Sequence, residues 1–139
     1  MRRVVIDSNV LISARLSPCG SPGRLLAAWL DGRFELIVSP ALLAELAGVL
    51  ERPKFRRWLP VEEARAFVQM LRVSATVLND PPQQHHDLRD PDDSYLVTLA
   101  RSAKADYLVS GDGDLTSLKS PRPPVITPAD FLASLGTNE

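Results

Sequence analysis

Four acidic residues are placed so that their side chains could share a divalent metal ion: Asp7, Glu45, Asp93 and Asp112. Asp7 ends the apolar run RVVID, and Asp112 and Asp114 follow the apolar run DYLVS. Glu45 lies inside ALLAELAGVL, and Asp93 lies in RDPDDSYLV, directly before a further apolar run. Carboxylates held close together repel one another unless protons or cations neutralise them. Because Mg²⁺ and Mn²⁺ prefer oxygen ligands, these acids predict a site for one of those metals.

Alternating strands and helices must position these acids. Short apolar runs predict buried strands at residues 3–7, 34–39, 74–78, 106–110 and 123–127. Apolar residues at helical spacing predict helices at residues 8–14, 24–32, 41–50, 61–72, 94–105 and 128–136. Gly32 is expected to stop the second helix, and Ser39 is expected to cap the third. This alternation predicts an α/β sandwich with a mainly parallel sheet, in which ligands bind at the carboxyl ends of the strands. Asp7 and Asp112 should then meet at one edge if their strands are neighbours.

Each acid also has an ordinary structural explanation. Asp7 is a suitable N-cap for the helix that follows it. Glu45 is a suitable solvent-facing helix residue, and the glycines and aspartates of GDGDL are common turn formers. The metal-site hypothesis therefore rests on the joint placement of the acids rather than on any one of them.

The stretch RDPDDSYLV combines residues that start helices with residues that bind metals. Asp90 and Pro91 predict an N-cap and first-turn pair. Asp92 and Asp93 fall about equally far from the apolar face of the following helix, so helical geometry leaves both open as ligands. Asp93 is also placed to bond the N-cap amide, as in a capping box.

Four segments together resemble the motif regions of a PIN domain, in order and in spacing: VVIDSNVLISA, SPALLAELAGVL, DPDDSYLVTLA and DYLVSGDGDL. The resemblance covers nearly the whole chain and is strongest to single-domain toxin components of bacterial toxin–antitoxin pairs. It implies one domain over residues 1–139, folded as a three-layer α/β/α sandwich with a mainly parallel central sheet. It also implies a metal-dependent endoribonuclease, a cognate antitoxin protein and a homodimer.

The resemblance assigns roles to individual residues. It implies that an acidic quartet binds Mg²⁺ or Mn²⁺ and activates water: Asp7, Glu45, Asp93 and Asp112. Asp114 is implied as a fifth metal ligand, and Asn9 as an accessory polar residue. Ser110 stands where threonine is common in the family, and it keeps the hydroxyl. The family register, in which the catalytic acid precedes Ala100 by seven positions, favours Asp93 over Asp92.

The charge of the chain bears on RNA binding. The formal net charge of −1 argues against a strongly basic nucleic-acid binder, although metal bound to the quartet would leave the remainder positive. The segment RPKFRRWLP concentrates basic residues around two aromatics: Arg52, Lys54, Arg56 and Arg57, with Phe55 and Trp58. This composition suits phosphate contacts and base stacking. The alternative is a solvent-exposed basic loop whose two aromatic residues anchor it to the core.

The remaining features indicate the compartment and narrow the class of protein. Cys19 is the only cysteine, which favours a reducing, cytoplasmic location, and MRRVVID is too short an apolar run for a signal peptide or a membrane span. His85 and His86 lack the further Cys or His residues that a zinc site needs.

Two other functions are alternatives to a nuclease. A phosphatase of the haloacid dehalogenase type would need an aspartate two positions after Asp7, where this chain has Asn9. A PIN-like binding module without activity is the second alternative, and the four acidic quartet positions argue against it.

Overall fold

The fold was obtained as a computed structural model and is described over residues 1–81, 95–117 and 122–136. The strands in these ranges are β1 (Arg3–Ile6), β2 (Glu35–Val38), β3 (Thr76–Val77), β4 (Tyr107–Val109) and β5 (Val125–Ile126). The α-helices in the same ranges are α1 (Ser8–Leu16), α2 (Ser21–Leu30), α3 (Pro40–Leu50), α4 (Val61–Ser74), α5 (Tyr95–Ser102), α6 (Gly113–Thr116) and α7 (Pro128–Gly136). A 3₁₀ turn, Pro53–Phe55, follows α3.

The five strands form one sheet in the order β3-β2-β1-β4-β5, and every pair is parallel. The predicted α/β/α sandwich is confirmed, and the described sheet is wholly rather than mainly parallel. The chain moves outward from β1 to β3, then returns across the sheet to β4 and β5. Because such crossovers are right-handed, α1 to α4 cover one face and α5 and α6 cover the other. β1 and β4 therefore meet at the point where the winding direction reverses, which is where such sheets bind ligands.

Apart from the first residues of three strands, Arg3, Glu35 and Thr76, the strands are apolar, because helices cover both faces of the sheet. Val4, Val5 and Ile37 have no exposed surface, and the same holds for Leu108 and Val109. The rings of Phe34 and Phe131 meet edge to face at 5.2 Å, which joins α7 to the start of β2. Within the described ranges, no helix is long and apolar enough to cross a membrane.

The first turn of α2 differs from the sequence prediction. The helix begins at Ser21, three residues earlier than expected, because Pro22 is compatible with a first helical turn. Gly23 is then inside the helix, where an added Cβ would lie only 2.2 Å from the carbonyl oxygen of Pro18. This position therefore requires glycine because the backbone of the preceding loop passes so close.

Two helix ends are set by left-handed residues. Gly32 has φ of 79° and its amide donates to the Trp29 carbonyl, so the predicted stop of α2 is confirmed. Lys104 has φ of 56°, and its amide donates to the Arg101 carbonyl. This turn ends α5 at Ser102, earlier than the predicted position 105.

Candidate functional site

Asp7 stands where β1 ends and α1 begins, and only 7% of its surface is exposed. Its Oδ1 accepts a hydrogen bond from the Asn9 amide at 3.1 Å, which is an N-cap bond. Its Oδ2 accepts a hydrogen bond from the Ser110 hydroxyl at 2.9 Å. Asp7 is therefore the N-cap of α1, as one alternative from the sequence predicts. The same carboxylate also accepts a hydrogen bond from Ser110, which follows the neighbouring strand β4. These bonds and the positive end of the α1 dipole stabilise its buried negative charge.

Ser110 connects the ends of the two central strands. It follows β4 and is fully buried, and its amide donates to the Ile126 carbonyl at 3.0 Å. Its hydroxyl donates to Asp7 and accepts from the Asp112 amide at 3.0 Å. The Asp7 amide in turn donates to the Val109 carbonyl at 2.9 Å. The two strands are neighbours in the sheet, so the condition for Asp7 and Asp112 to meet at one edge is fulfilled, and one buried hydroxyl bonds both residues.

Asp112 begins a short helix where the sequence predicts only a turn. Its Oδ1 accepts from the Asp114 amide at 2.9 Å, so Asp112 is the N-cap of α6. Both aspartates are exposed, and the buried Leu115 holds the short helix against the core. The α6 turn therefore presents two carboxylates to solvent at the same strand ends where Asp7 is buried.

Two other predicted residues lie on helices at the surface. Glu45 is exposed on α3, between the buried Leu42 and Leu46. The side chain of Asn9 is exposed on the first turn of α1, and its contribution to the Asp7 contact comes from the backbone amide. Both are accessible to a ligand from solvent.

The remaining predicted positions lie outside the described residues. These are Asp93, with its alternative Asp92, and also Asp90, His85 and His86. Within residues 1–81, 95–117 and 122–136, no group of three or more Asp, Glu, His or Cys side chains could hold a metal ion. The described acids offer only oxygen donors, which is the donor chemistry that Mg²⁺ and Mn²⁺ require. Convergence of the full quartet stays a prediction.

A polar network that the sequence analysis did not anticipate lies beside the end of β2. The buried Ser39 hydroxyl accepts from the Leu42 amide at 3.2 Å, which confirms its capping role, and it also bonds the Tyr95 hydroxyl. Tyr95 donates to Asp80 Oδ1 at 2.5 Å, and Asp80 Oδ2 accepts from the Ala41 amide at 3.0 Å. Nothing in the spacing of Asp80 and Tyr95, 15 residues apart, indicated this contact.

The network shifts the pKa of both acidic groups. Burial, together with the hydrogen bond to Asp80, raises the pKa of Tyr95 to about 12. Burial alone would raise the pKa of the Asp80 carboxyl, but bonds from Ser39, Tyr95 and the Ala41 amide outweigh it and lower that pKa. At neutral pH the tyrosine is therefore a protonated donor and the aspartate an ionised acceptor.

The basic segment at residues 52–58 divides into an outward and an inward part. Arg52, Lys54 and Arg57 are exposed, and 64% of the Trp58 surface is exposed. The guanidinium of Arg57 lies 5.7 Å from the centroid of the Trp58 ring. Phe55 packs against the core, so only one of the two aromatics is an anchor.

Arg56, the fourth basic residue named as a possible RNA contact, faces the protein rather than solvent. It is half-buried, and its Nη2 donates to the Leu50 carbonyl at the last residue of α3. Its Nε and Nη1 are buried and have no hydrogen-bond partner among the described residues. A cation at this position complements the carbonyl end of a helix, so its observed contact is structural.

Comparisons with known proteins bear on this site. A sequence profile of the PIN domain matches residues 3–114, a range that includes every acid of the predicted metal site. Over 117 residues the chain is 33% identical to the uncharacterized protein MJ1680 of Methanocaldococcus jannaschii, covering 84% of this chain and 75% of that protein. The fold is similar to the crystal structure of PAE2754 from Pyrobaculum aerophilum, with a TM-score of 0.69. That comparison covers 99% of this chain and 91% of the other at 17% identity, so it bears on the fold alone.

Proposed function

The chain belongs to the PIN-domain family, and on that premise we propose that it is a metal-dependent endoribonuclease. Proteins of this family are generally nucleases and typically use divalent metals. The observation that carries the proposal is the pair of hydrogen bonds by which the Ser110 hydroxyl connects Asp7 and Asp112. They lie at the strand ends where the winding direction of the sheet reverses. These strand ends are where parallel sheets of this topology bind ligands, which favours a functional role for Asp7 in addition to its role as the N-cap of α1.

The proposed ligands of Mg²⁺ or Mn²⁺ are the quartet acids with one further aspartate: Asp7, Glu45, Asp93, Asp112 and Asp114. When bound, the metal supplies Lewis-acid chemistry that makes water a better nucleophile and stabilises negative charge on the leaving oxygen of a phosphodiester. The chain supplies orientation, since Ser110 and the Asn9 amide each hold one oxygen of Asp7. Each bonded oxygen keeps a lone pair for a further partner.

The exposed part of the basic segment is proposed as an RNA contact. Lys54 and Arg57, with Arg52, provide positive charge for phosphates, and the exposed face of Trp58 provides a stacking surface for a base. The segment follows the last residue of α3, about 7.5 Å along the helix axis beyond Glu45. An RNA strand lying on this surface would thus be near one of the proposed metal ligands.

A biological role as the toxin of a toxin–antitoxin pair is proposed from the resemblance to single-domain toxins. The proposal includes a cognate antitoxin protein, a homodimer and action in the cytoplasm, where RNA substrates are present. A short reading frame next to the gene whose product co-purifies with this chain would support the role. A chain that is monomeric by light scattering and has no such neighbour would contradict it.

Cleavage of a mixed RNA pool by the purified protein, with Mn²⁺ or Mg²⁺ present, tests the enzymatic proposal. Asp7→Asn and Asp93→Asn should each abolish cleavage, whereas Asp130→Asn, an exposed acid on α7, should leave it unchanged. Comparing Asp92→Asn with Asp93→Asn shows which of the two is the ligand. Cleavage that persists in excess EDTA, or in both the Asp7 and Asp93 variants, would exclude the quartet mechanism.

The same experiment separates the proposed enzyme from a binding module. An RNA-binding chain without activity would retain RNA in a mobility-shift assay but leave it intact at every metal concentration. In that case Trp58→Ala would weaken binding, and the quartet substitutions would have little effect on it.

A further inference from the structure

A cleft of about 320 Å³ lies between α3 and α4, and none of the proposed metal ligands lines it. Its floor is apolar, because Leu50, Ala64 and Val68 are buried and the half-buried Ala47 lies beside them. Ala47 is small, so space remains between it and the longer side chains of α4. The volume is within the range of protein clefts that bind ligands.

The α4 rim of the cleft presents hydrogen-bond donors. Arg65, Gln69 and Arg72 are all exposed, and their helical spacing places them on one face of α4. Arg72 Nη1 donates to Gln69 Oε1 at 2.7 Å, so the one side-chain acceptor among these three residues is already bonded. The guanidinium and amide N–H groups that remain can donate to a ligand. A phosphodiester, which carries several acceptor oxygens and a negative charge, matches this rim.

Glu51 is the one carboxylate among the described residues that line the cleft. Its Oε1 lies 3.6 Å from Arg65 Nε, and the Glu51 and Arg65 side chains are 55% and 70% exposed. An ion pair this exposed contributes little to stability, so a phosphate oxygen can take the place of Glu51 at Arg65. Arg72 has no carboxylate partner among the described residues. The cleft therefore favours an anionic ligand.

The cleft lies between the basic segment and Glu45. Glu51 directly precedes Arg52, the first residue of the basic segment. Glu45 lies two residues before Ala47, which is about 3 Å along α3 and about 200° around it. Glu45 and the cleft are thus on opposite flanks of α3, separated by a helix width of about 10–12 Å. Gly48 is exposed between these flanks, and a Cβ added there would meet no atom within 4 Å. A strand of RNA therefore has an open path across α3.

We propose that the cleft holds a single-stranded part of the RNA substrate: its phosphates contact Arg65 and Arg72, and an unpaired base lies on the apolar floor. This inference rests on the proposed function, because it takes RNA as the substrate. Packed helices have axes about 8–10 Å apart, so the cleft between them admits one strand but not a duplex. From the cleft the strand crosses α3 toward Glu45. The substrate is therefore RNA that is unpaired beside the cleavage position.

An acidic protein segment is the competing ligand, because it would also match a positive rim. RNA is favoured by the surroundings of the cleft. On one side is the exposed ring of Trp58, a stacking surface for a base, and on the other is Glu45, a proposed ligand of the metal that cuts RNA.

Binding of an unstructured oligouridine in metal-free buffer, measured by fluorescence anisotropy, tests the proposal. Arg65→Gln and Arg72→Gln should each weaken binding by roughly ten-fold, since each removes a charged donor to phosphate. The plot of log affinity against log salt concentration should become shallower by about 0.7 in each variant. With Mn²⁺ present, the KM for RNA cleavage should rise in parallel. An RNA hairpin without a single-stranded tail should bind more weakly than oligouridine, and neither substitution should change its affinity.

Arg24→Gln is the matched control. Arg24 is an exposed arginine that lines a different cleft, of about 390 Å³, between α2 and α7. This variant removes the same charge and should leave the oligouridine affinity and the salt dependence as in the wild type. An equal loss of affinity in the Arg24, Arg65 and Arg72 variants would overturn the proposal, because it would show a general effect of net charge.

Gln69→Glu keeps the test valid if an arginine variant does not fold. The new carboxylate can still accept from Arg72, so the contact within α4 is retained. It neutralises Arg72 and places a negative charge on the donor rim, and it should therefore weaken oligouridine binding in the same direction as Arg72→Gln. Wild-type affinity in a folded Gln69→Glu protein would contradict the proposal independently.

The outcomes separate this proposal from the proposed function. Wild-type protein with no measurable affinity for RNA would overturn both. Wild-type protein that binds oligouridine through the cleft but cuts no RNA would overturn the nuclease and leave the cleft assignment intact. A metal-dependent nuclease whose Arg65 and Arg72 variants bind oligouridine as tightly as the wild type would overturn the cleft assignment alone. Loss of binding to oligoglutamate in those variants, with unchanged RNA affinity, would assign the cleft to a protein partner and would also overturn it.

Discussion

Replacing Ser110 by alanine tests whether its hydroxyl stabilises the buried Asp7 carboxylate. The hydroxyl makes two hydrogen bonds, one to Asp7 Oδ2 at 2.9 Å and one from the Asp112 amide at 3.0 Å. Water can replace the second bond, because Asp112 is exposed. Water cannot readily replace the first, because Ser110 is fully buried and only 7% of Asp7 is exposed. The cost of the substitution should therefore come mainly from the bond to Asp7.

The size of that cost follows from the charge of the acceptor. A hydrogen bond to an ionised group contributes about 2 kcal/mol to the free energy of unfolding. For a chain of 139 residues, the unfolding entropy of about 0.3 kcal/mol per degree converts this into a melting temperature lower by about 7 °C. Thermal unfolding in metal-free buffer, followed by circular dichroism, measures the change. Ser13→Ala, at an exposed position of α1, is the control and should shift the melting temperature by less than about 2 °C.

A double-mutant cycle with Asp7→Asn separates the bond from other effects of Ser110→Ala. In the Asp7→Asn background the acceptor is neutral, so Ser110→Ala should cost about 1 kcal/mol less than in the wild type. A loss of the same size in both backgrounds would show that the Ser110 hydroxyl acts elsewhere. A Ser110→Ala protein as stable as the wild type would refute the stabilisation of Asp7 altogether.

Three further predictions concern other parts of the chain. Trp58→Ala should weaken binding of single-stranded RNA about ten-fold, since stacking of one base contributes about 1–3 kcal/mol, whereas Leu30→Ala should not. Asp80→Asn should lower the melting temperature at neutral pH. Because the folded-state pKa of Asp80 is lowered from its ordinary value of 3.8, this difference should shrink as pH falls below 3.8. Gly23→Ala should destabilise the fold by about 1–3 kcal/mol, because its Cβ would meet the Pro18 carbonyl.

For each of these three predictions, one experimental result would contradict it. Equal RNA affinities of the Trp58 and Leu30 variants would remove base stacking from the proposal. A stability difference for Asp80→Asn that is constant down to pH 2 would show that the charge of Asp80 does not contribute. A Gly23→Ala protein that melts above the wild type would show that helix propensity outweighs the close approach.

The order of the strands and longer helices, and the placement of Asp7 and Asp112 directly after strands, could be predicted from the sequence, because the signals are local. The apolar run before Asp7 and the Ser39–Pro40 pair each act within a few residues, and both predictions are confirmed. Helix ends were less predictable where the cause was distant or unusual. Lys104 adopts a left-handed conformation that favours glycine, so nothing in its type indicated the end of α5.

Contacts between distant segments required the tertiary structure. The sequence placed Asp7 and Asp112 at strand ends, but only the strand order makes those strands neighbours and places Ser110 between the two acids. The sequence also grouped four basic residues, and only the packing shows that Arg56 turns toward the end of α3.

The polar network of Ser39, Asp80 and Tyr95 shows the same limit most clearly. Ser39 and Tyr95 are 56 residues apart, and neither residue type predicts the other as a partner. Propensity and periodicity act over the few residues of one turn or one strand, so the sequence alone determined the strands and the longer helices and placed Asp7, Glu45 and Asp112 on or beside them. The choice of side chains that meet across elements depends on how the whole core packs, and only the tertiary structure decided it.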